Sequence, residues 1–144
     1  MSDRVDQDRK SFTVEQANAL LPLVRAITAD IVELSGNLVD RRRRLNLLRS
    51  DRRSDSNDVY SEELAQVDRD LAADRERLYE FAAELRELGV ELKDAVGGLV
   101  DFPTAIDGRP AYLCWKLGEA EVAHWHERDA GFAGRKPLSP VEVG

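Results

Sequence analysis

Apolar residues recur through the first two thirds of the chain in steps of three and four. Ala17, Leu20, Val24, Ile27, Ile31, Leu34, Leu38, Leu45 and Leu48 form one stripe, interrupted at Arg41. Leu64, Val67, Leu71, Leu78, Phe81, Leu85 and Leu88 form a second, interrupted at Asp74. The spacing predicts two helices, over 11–50 and 59–88, joined by the polar, glycine-free segment from Ser50 to Asp58. Thr13 and Gln16 have the spacing of a capping box, and Phe12 and Ala17 that of a hydrophobic staple. Pro22 cannot donate to the carbonyl of Asn18, so a bend is expected there. Gly89 is placed as the C-cap of the second helix. If the helices fold back antiparallel, Leu48 faces Val67, Leu45 faces Leu71, Leu38 faces Leu78 and Ile31 faces Leu85. The same register sets Arg41 against Asp74, the charged intruders of both stripes. An ion pair there adds little stability after desolvation, but it penalises any slip that leaves either charge facing leucine.

Beyond Gly89 the period changes to short alternating runs rich in Gly, Pro and aromatic residues. Asp107-Gly108 is a strong hairpin signal, pairing Phe102 with Leu113 and Val100 with Trp115 on one face, with Asp101, Tyr112, Cys114 and Lys116 on the other. A second tight turn at Gly118-Glu119 would pair Trp115 with Val122 and Leu113 with His124. The fold class expected is therefore α+β, mainly α. It is a long antiparallel two-helix hairpin, coiled-coil-like, followed by a small three-stranded antiparallel β-meander over 98–127 and an extended C-terminal tail. Residues 11–138 form a single domain, flanked by a disordered tail over 1–10 and a tail over 139–144.

Composition sharpens this picture. With 144 residues the chain has room for one domain, and with 34% charged and 6% aromatic residues it suits a long solvated helical element beside a modest core. The net charge of −7 argues against broad nucleic-acid binding. Arg41 to Arg44 with Arg49, Arg52 and Arg53 read as solvated helical faces interleaved with Asp51, Asp55 and Asp58; a weak RNA or ribosome contact is the functional reading of that tip. No run is long and apolar enough for a membrane span, and the first residues lack a signal-peptide core, so a cytoplasmic protein with no membrane contact is expected. A lone Cys114 leaves no internal disulfide and fits a reducing compartment.

Five segments carry a resemblance. Phe12 to Pro22, Gly98 to Pro103, Tyr112-Leu113-Cys114-Trp115, Trp125-His126-Glu127 and Gly131 to Arg135, in that order over about residues 11–138, resemble the motifs of the bacterial domain of unknown function 2203 family. That family is uncharacterised, so the resemblance implies no activity. It does imply that any site lies where the start of the first helix meets the sheet.

The sharpest constellation is His124-Trp125-His126-Glu127. On a strand the two histidines share a face about 6–7 Å apart, from which they can converge on a divalent metal ion. With Trp115 opposite Val122 they would face the helices, with Glu15, Asn18 or Asp129 as further ligands; the candidate metal set is His126, His124, Glu127 and Glu15. The alternative is a structural His126, bonded to a helix carboxylate or to the Asn18 carbonyl. Cys114 falls on the face opposite the histidines and reads as a small packed residue. Gly131 to Arg135 reads as a structured wrap or an anion grip, Trp125 and Arg135 as partner contacts. The leading functional reading is an interaction or scaffold module that self-associates as a homo-oligomer or binds a protein partner, covering apolar flanks such as Leu21, Leu23 and Leu47. The rival is a metal-binding protein, with a hydrolase as its catalytic form, centred on His126 and Glu127.

Overall fold

The computed structural model describes residues 11–51 and 58–138. The tails expected over 1–10 and 139–144, and most of the polar hairpin connection, lie outside the described residues. Helix α1 spans Val14–Asp51 and runs unbroken through Pro22; α2 spans Asp58–Glu87. The capping box forms in both directions. Gln16 N–H donates to Thr13 Oγ1 at 3.1 Å and Thr13 N–H to Gln16 Oε1 at 3.0 Å. At the other end of the hairpin's base, Gly89 takes φ 89°. Its N–H bonds the Arg86 carbonyl, and Val90 N–H bonds that of Leu85. Leu85 and Val90 are both buried, which completes a Schellman ending with its apolar contact.

The antiparallel register is the expected one. Arg41 pairs with Asp74, and farther toward the tip Arg49 Nη2 lies 2.6 Å from Asp68 Oδ2. At about 1.5 Å per residue, α1 is about 57 Å long, so the hairpin reaches well past the sheet that caps its base.

The sheet has five strands, not three: β1 (Glu91–Asp94), β2 (Leu99–Ile106), β3 (Arg109–Lys116), β4 (His124–Glu127) and β5 (Lys136–Pro137), all antiparallel neighbours in chain order. The two added strands are polar edges. Glu-Leu-Lys-Asp and Lys-Pro lack an apolar alternation because an edge strand needs little burial and is protected by charge and proline. Part of the expected extended tail is thus ordered as β5 and as a short 3-10 turn, Phe132–Gly134.

The Asp107-Gly108 turn forms with φ 53° and 76°, and β2 and β3 pair as expected, Val100 opposite Trp115 and Phe102 opposite Leu113. The next turn does not. Cys114, not Leu113, faces His124, a one-residue shift that exchanges the faces of every β4 side chain. The cause lies in α1. Asn18 Oδ1 accepts from Val122 N–H at 2.7 Å and its amide donates to the Val122 carbonyl at 3.4 Å, consuming the groups that a longer strand would pair. Val122 is left in a loop with its side chain in the core.

The core lies between α1, the end of α2 and one sheet face, joining Ala17, Leu21, Val24, Ile31 and Leu85 to Val100, Phe102, Leu113, Trp115 and Val122. Burial of Phe102, Leu113, Ile31 and Leu85 contributes about 1.5–3 kcal/mol each. Leu21, expected as an exposed flank, is buried because α1 faces both α2 and the sheet here and needs a wider apolar arc. Leu23 and Leu47 remain exposed. Phe12 is pinned beside β2, its N–H on the Pro103 carbonyl at 2.8 Å and its carbonyl accepting from Thr104 Oγ1 at 2.6 Å.

Candidate functional site

The sheet face turned away from the helices carries the polar core of the molecule. Asp101 on β2 lies opposite Cys114 on β3, which lies opposite His124 on β4; farther along the ribbon, Tyr112 lies opposite His126. Asp101, Cys114 and His126 are 2%, 0% and 2% exposed. One ligating atom from each lies within 4.8 Å of the other two, the one such group of His, Cys, Asp or Glu among the described residues.

Both nitrogens of His126 are engaged, Nδ1 with the main-chain carbonyl of Glu127 at 2.7 Å and Nε2 with Asp101 Oδ2 at 2.9 Å. A carbonyl cannot donate, so Nδ1 carries a hydrogen and donates it. Asp101 Oδ1 is buried with no hydrogen-bond partner. Burial pushes the Asp101 carboxyl above its ordinary value, against the pull of the His126 imidazole and Lys93. Burial, reinforced by Asp101, pushes the Cys114 thiol up to about 12. Cys114 is therefore a buried, protonated thiol at neutral pH beside the Asp101 carboxyl, and the His126 imidazole, with both nitrogens engaged, is not free to make it a nucleophile.

A clasp closes this face. Arg135 Nη1 and Nη2 donate to Glu119 Oε1 and Oε2 at 3.0 and 2.5 Å, and Lys116 N–H donates to Glu119 Oε1 at 2.8 Å. The Arg135 guanidinium stacks 4.4 Å from the Phe132 ring centroid. Arg135 is thus an internal strap whose anion is Glu119, and not a free partner contact. His124 Nδ1, buried without a hydrogen-bond partner, sits 3.8 Å from Glu119 Oε2.

The expected ligands do not assemble as a set. The histidines share a face, as a strand requires, but it is the outer face and not the one against the helices, because of the β4 register. Glu15 is exposed on the first turn of α1, across the sheet from them. The Glu127 side chain is exposed, and the residue serves His126 through its carbonyl. Trp125, expected as an exposed contact, is half-buried against the core with Lys136 Nζ 5.1 Å from its ring centroid. Cys114 is packed, as expected, but on the same face as His126. Sequence reasoning missed Asp101 as the partner of His126 and Glu119 as the partner of Arg135. The pairing of Asp101 with Cys114 was implicit in the Asp107-Gly108 turn, whereas the third member depended on the β3–β4 loop.

Along the hairpin, a groove of about 270 Å³ is lined by Leu38, Val39 and Arg42 of α1, Leu71 and Leu78 of α2, and Val96 of the β1–β2 turn. Arg41 and Arg49 are committed to Asp74 and Asp68, which reduces the free cations of the arginine-rich tip.

No helix among the described residues is long and apolar enough to cross a membrane. No curated protein and no solved structure matches the chain. The segments that supply Asp101, Cys114, His126 and Arg135 are four of the five that carry the family resemblance, and the family of uncharacterized conserved proteins DUF2203 matches residues 10–138; the chain belongs to that family.

Proposed function

We propose that the protein is a self-associating interaction module in which the far half of the hairpin docks on that of a second copy. The observation that carries this reading is how thin the hairpin becomes beyond the sheet. Between residues 36 and 84, Leu45 and Leu71 are the buried apolar side chains among the described residues. Leu38, Leu64, Val67 and Leu78 are half-buried, while Val39 and Leu47 are 43% and 60% exposed. Two helices can cover one seam but leave its flanks open to water, and helical hairpins close those flanks by forming bundles.

Charge favours a second copy as the occupant. From residue 41 to 49, α1 carries five arginines and no acidic side chain; with Arg41 and Arg49 paired within the chain, Arg42, Arg43 and Arg44 face α2 of another copy, which carries ten acidic residues and four arginines, Asp74 and Asp68 being taken up by the two internal pairs. The basic stretch of one copy therefore meets its complement in α2 of another, with Val39 and Leu47 beside it.

Light scattering at several concentrations tests this. The wild type is expected at twice the 16.2 kDa chain mass, and the doubly substituted Val39→Glu, Leu47→Glu protein at one chain mass with an unchanged circular dichroism spectrum. Both positions are exposed, so the substitutions leave the fold within about 0.5 kcal/mol. A wild type that stays at one chain mass at tens of micromolar, near physiological salt, rejects the reading.

A further inference from the structure

We infer that Asp101, Cys114 and His126 form a binding site for one divalent cation of the zinc class, on the sheet face turned away from the hairpin. The inference is independent of self-association, which concerns the other end of the molecule.

Three observations converge on it. Adjacent strands β2, β3 and β4 bring a carboxylate, a thiol and an imidazole to within 4.8 Å of one another, all of them buried. A tetrahedral ion with bonds of about 2.0–2.3 Å holds its ligand atoms about 3.3–3.7 Å apart, so side-chain adjustments of about 1 Å close the site. Next, the Glu127 carbonyl, 2.7 Å from Nδ1, fixes the hydrogen of His126 on that nitrogen and turns the Nε2 lone pair toward Asp101. An imidazole oriented through a carbonyl is the usual support of a metal-ligating histidine. Finally, Asp101 Oδ1 has no partner although the residue is 2% exposed. An unsatisfied buried acceptor costs about 1–3 kcal/mol, which a bound cation removes.

The donor set selects the ion. A carboxylate and a thiolate cancel two positive charges, so a divalent ion leaves the buried site neutral, while a monovalent or trivalent one leaves an uncompensated charge. Binding forms bonds from the cation to an Asp101 oxygen, Cys114 Sγ and His126 Nε2. The thiol proton and the proton shared by Nε2 and Oδ2 leave to solvent, and nothing is oxidised or reduced. One sulfur and one imidazole favour Zn²⁺ or Co²⁺ over Mg²⁺ and Ca²⁺, which prefer six or more oxygens. Glu119, held through both oxygens by Arg135, is not free to complete the shell. The ion would tie three strands together beneath the Arg135 clasp.

The test is a titration of the full chain, purified without affinity tag and stripped with a chelator, with Co²⁺ alone, then Zn²⁺ and Mg²⁺ in competition. The expected result is one Co²⁺ per chain with a thiolate-to-cobalt charge-transfer band and the visible bands of a tetrahedral ion. Zn²⁺ displaces it, and Mg²⁺ binds at least about 100-fold more weakly. Cys114→Ala and His126→Gln lose the charge-transfer band or at least about 100-fold in affinity, while Glu15→Gln and Glu127→Gln keep both. Should either ligand variant fail to fold, the wild-type spectrum still decides. A folded wild type that binds no stoichiometric Co²⁺, or binds it without the sulfur charge-transfer band, overturns the proposal, as does a band that survives Cys114→Ala.

Discussion

Glu119 shows how much one side chain can fasten. It receives two guanidinium hydrogen bonds and one main-chain hydrogen bond. Those from Arg135 hold its carboxyl below the ordinary value of 4.5, against partial burial. A depressed folded value means that the contribution to stability is present above the ordinary value and is lost as pH falls through the folded one. Residues 130–138 are therefore expected to lose protection in hydrogen exchange as the pH is lowered below that ordinary value, ahead of the helices. At neutral pH, Glu119→Gln should lower stability by about 1–2 kcal/mol in urea unfolding, the range of a part-exposed charged hydrogen-bonded pair, and flatten that acid dependence. The sequence offers Gly131 to Arg135 as a structured wrap or an anion grip. That the anion is Glu119 depended on where the chain turns after β3.

At the scale of elements, the hairpin was the most legible part of the chain. Its stripes, capping box and glycine ending are local patterns, and local patterns survive into any antiparallel pairing. The register was legible as well, because Arg41 and Asp74 both break an apolar stripe and only one alignment brings them together. Each single reversal, Arg41→Asp or Asp74→Arg, is expected to cost about 1–2 kcal/mol, since the pair is partly open to solvent. The double reversal should recover more than half of the summed loss. Urea midpoints of the four proteins give the coupling, and a value near zero would remove the pair from any role in register. The edge strands were not legible for a complementary reason: β1 and β5 draw their order from hydrogen bonds to neighbours, and hydrogen bonding leaves no mark on side-chain pattern.

For the whole molecule, the junction between hairpin and sheet is decided at Gly98. Its φ is +73°, and an added Cβ would stand 2.8 Å from Leu117 Cβ and 2.9 Å from Val32 Cγ2 of α1. Backbone strain and overlap act together there, so Gly98→Ala should cost about 2–4 kcal/mol and loosen the sheet from α1. Gly36, inside α1, is the contrast, since a Cβ added there would meet nothing within 4 Å. Gly36→Ala is expected to raise stability by about 0.5–1 kcal/mol. Thermal or urea unfolding of the two variants measures both signs, and a loss at Gly36 or a gain at Gly98 would contradict this account of the junction.

What the sequence by itself determined is whatever repeats or caps locally: two helices, their ends, their antiparallel register with the Arg41–Asp74 pair, and the β2–β3 hairpin with its two-faced pattern. What only the tertiary structure decided is which face β4 presents. The β3–β4 loop is set by the Asn18 amide, 104 residues away in the chain, bonding both main-chain groups of Val122. A shift of one residue inverts a strand, so this distant contact placed His126 beside Asp101 and Cys114 instead of against the helices. Periodicity carries information over a few residues, whereas the candidate site depends on a contact that no local pattern encodes.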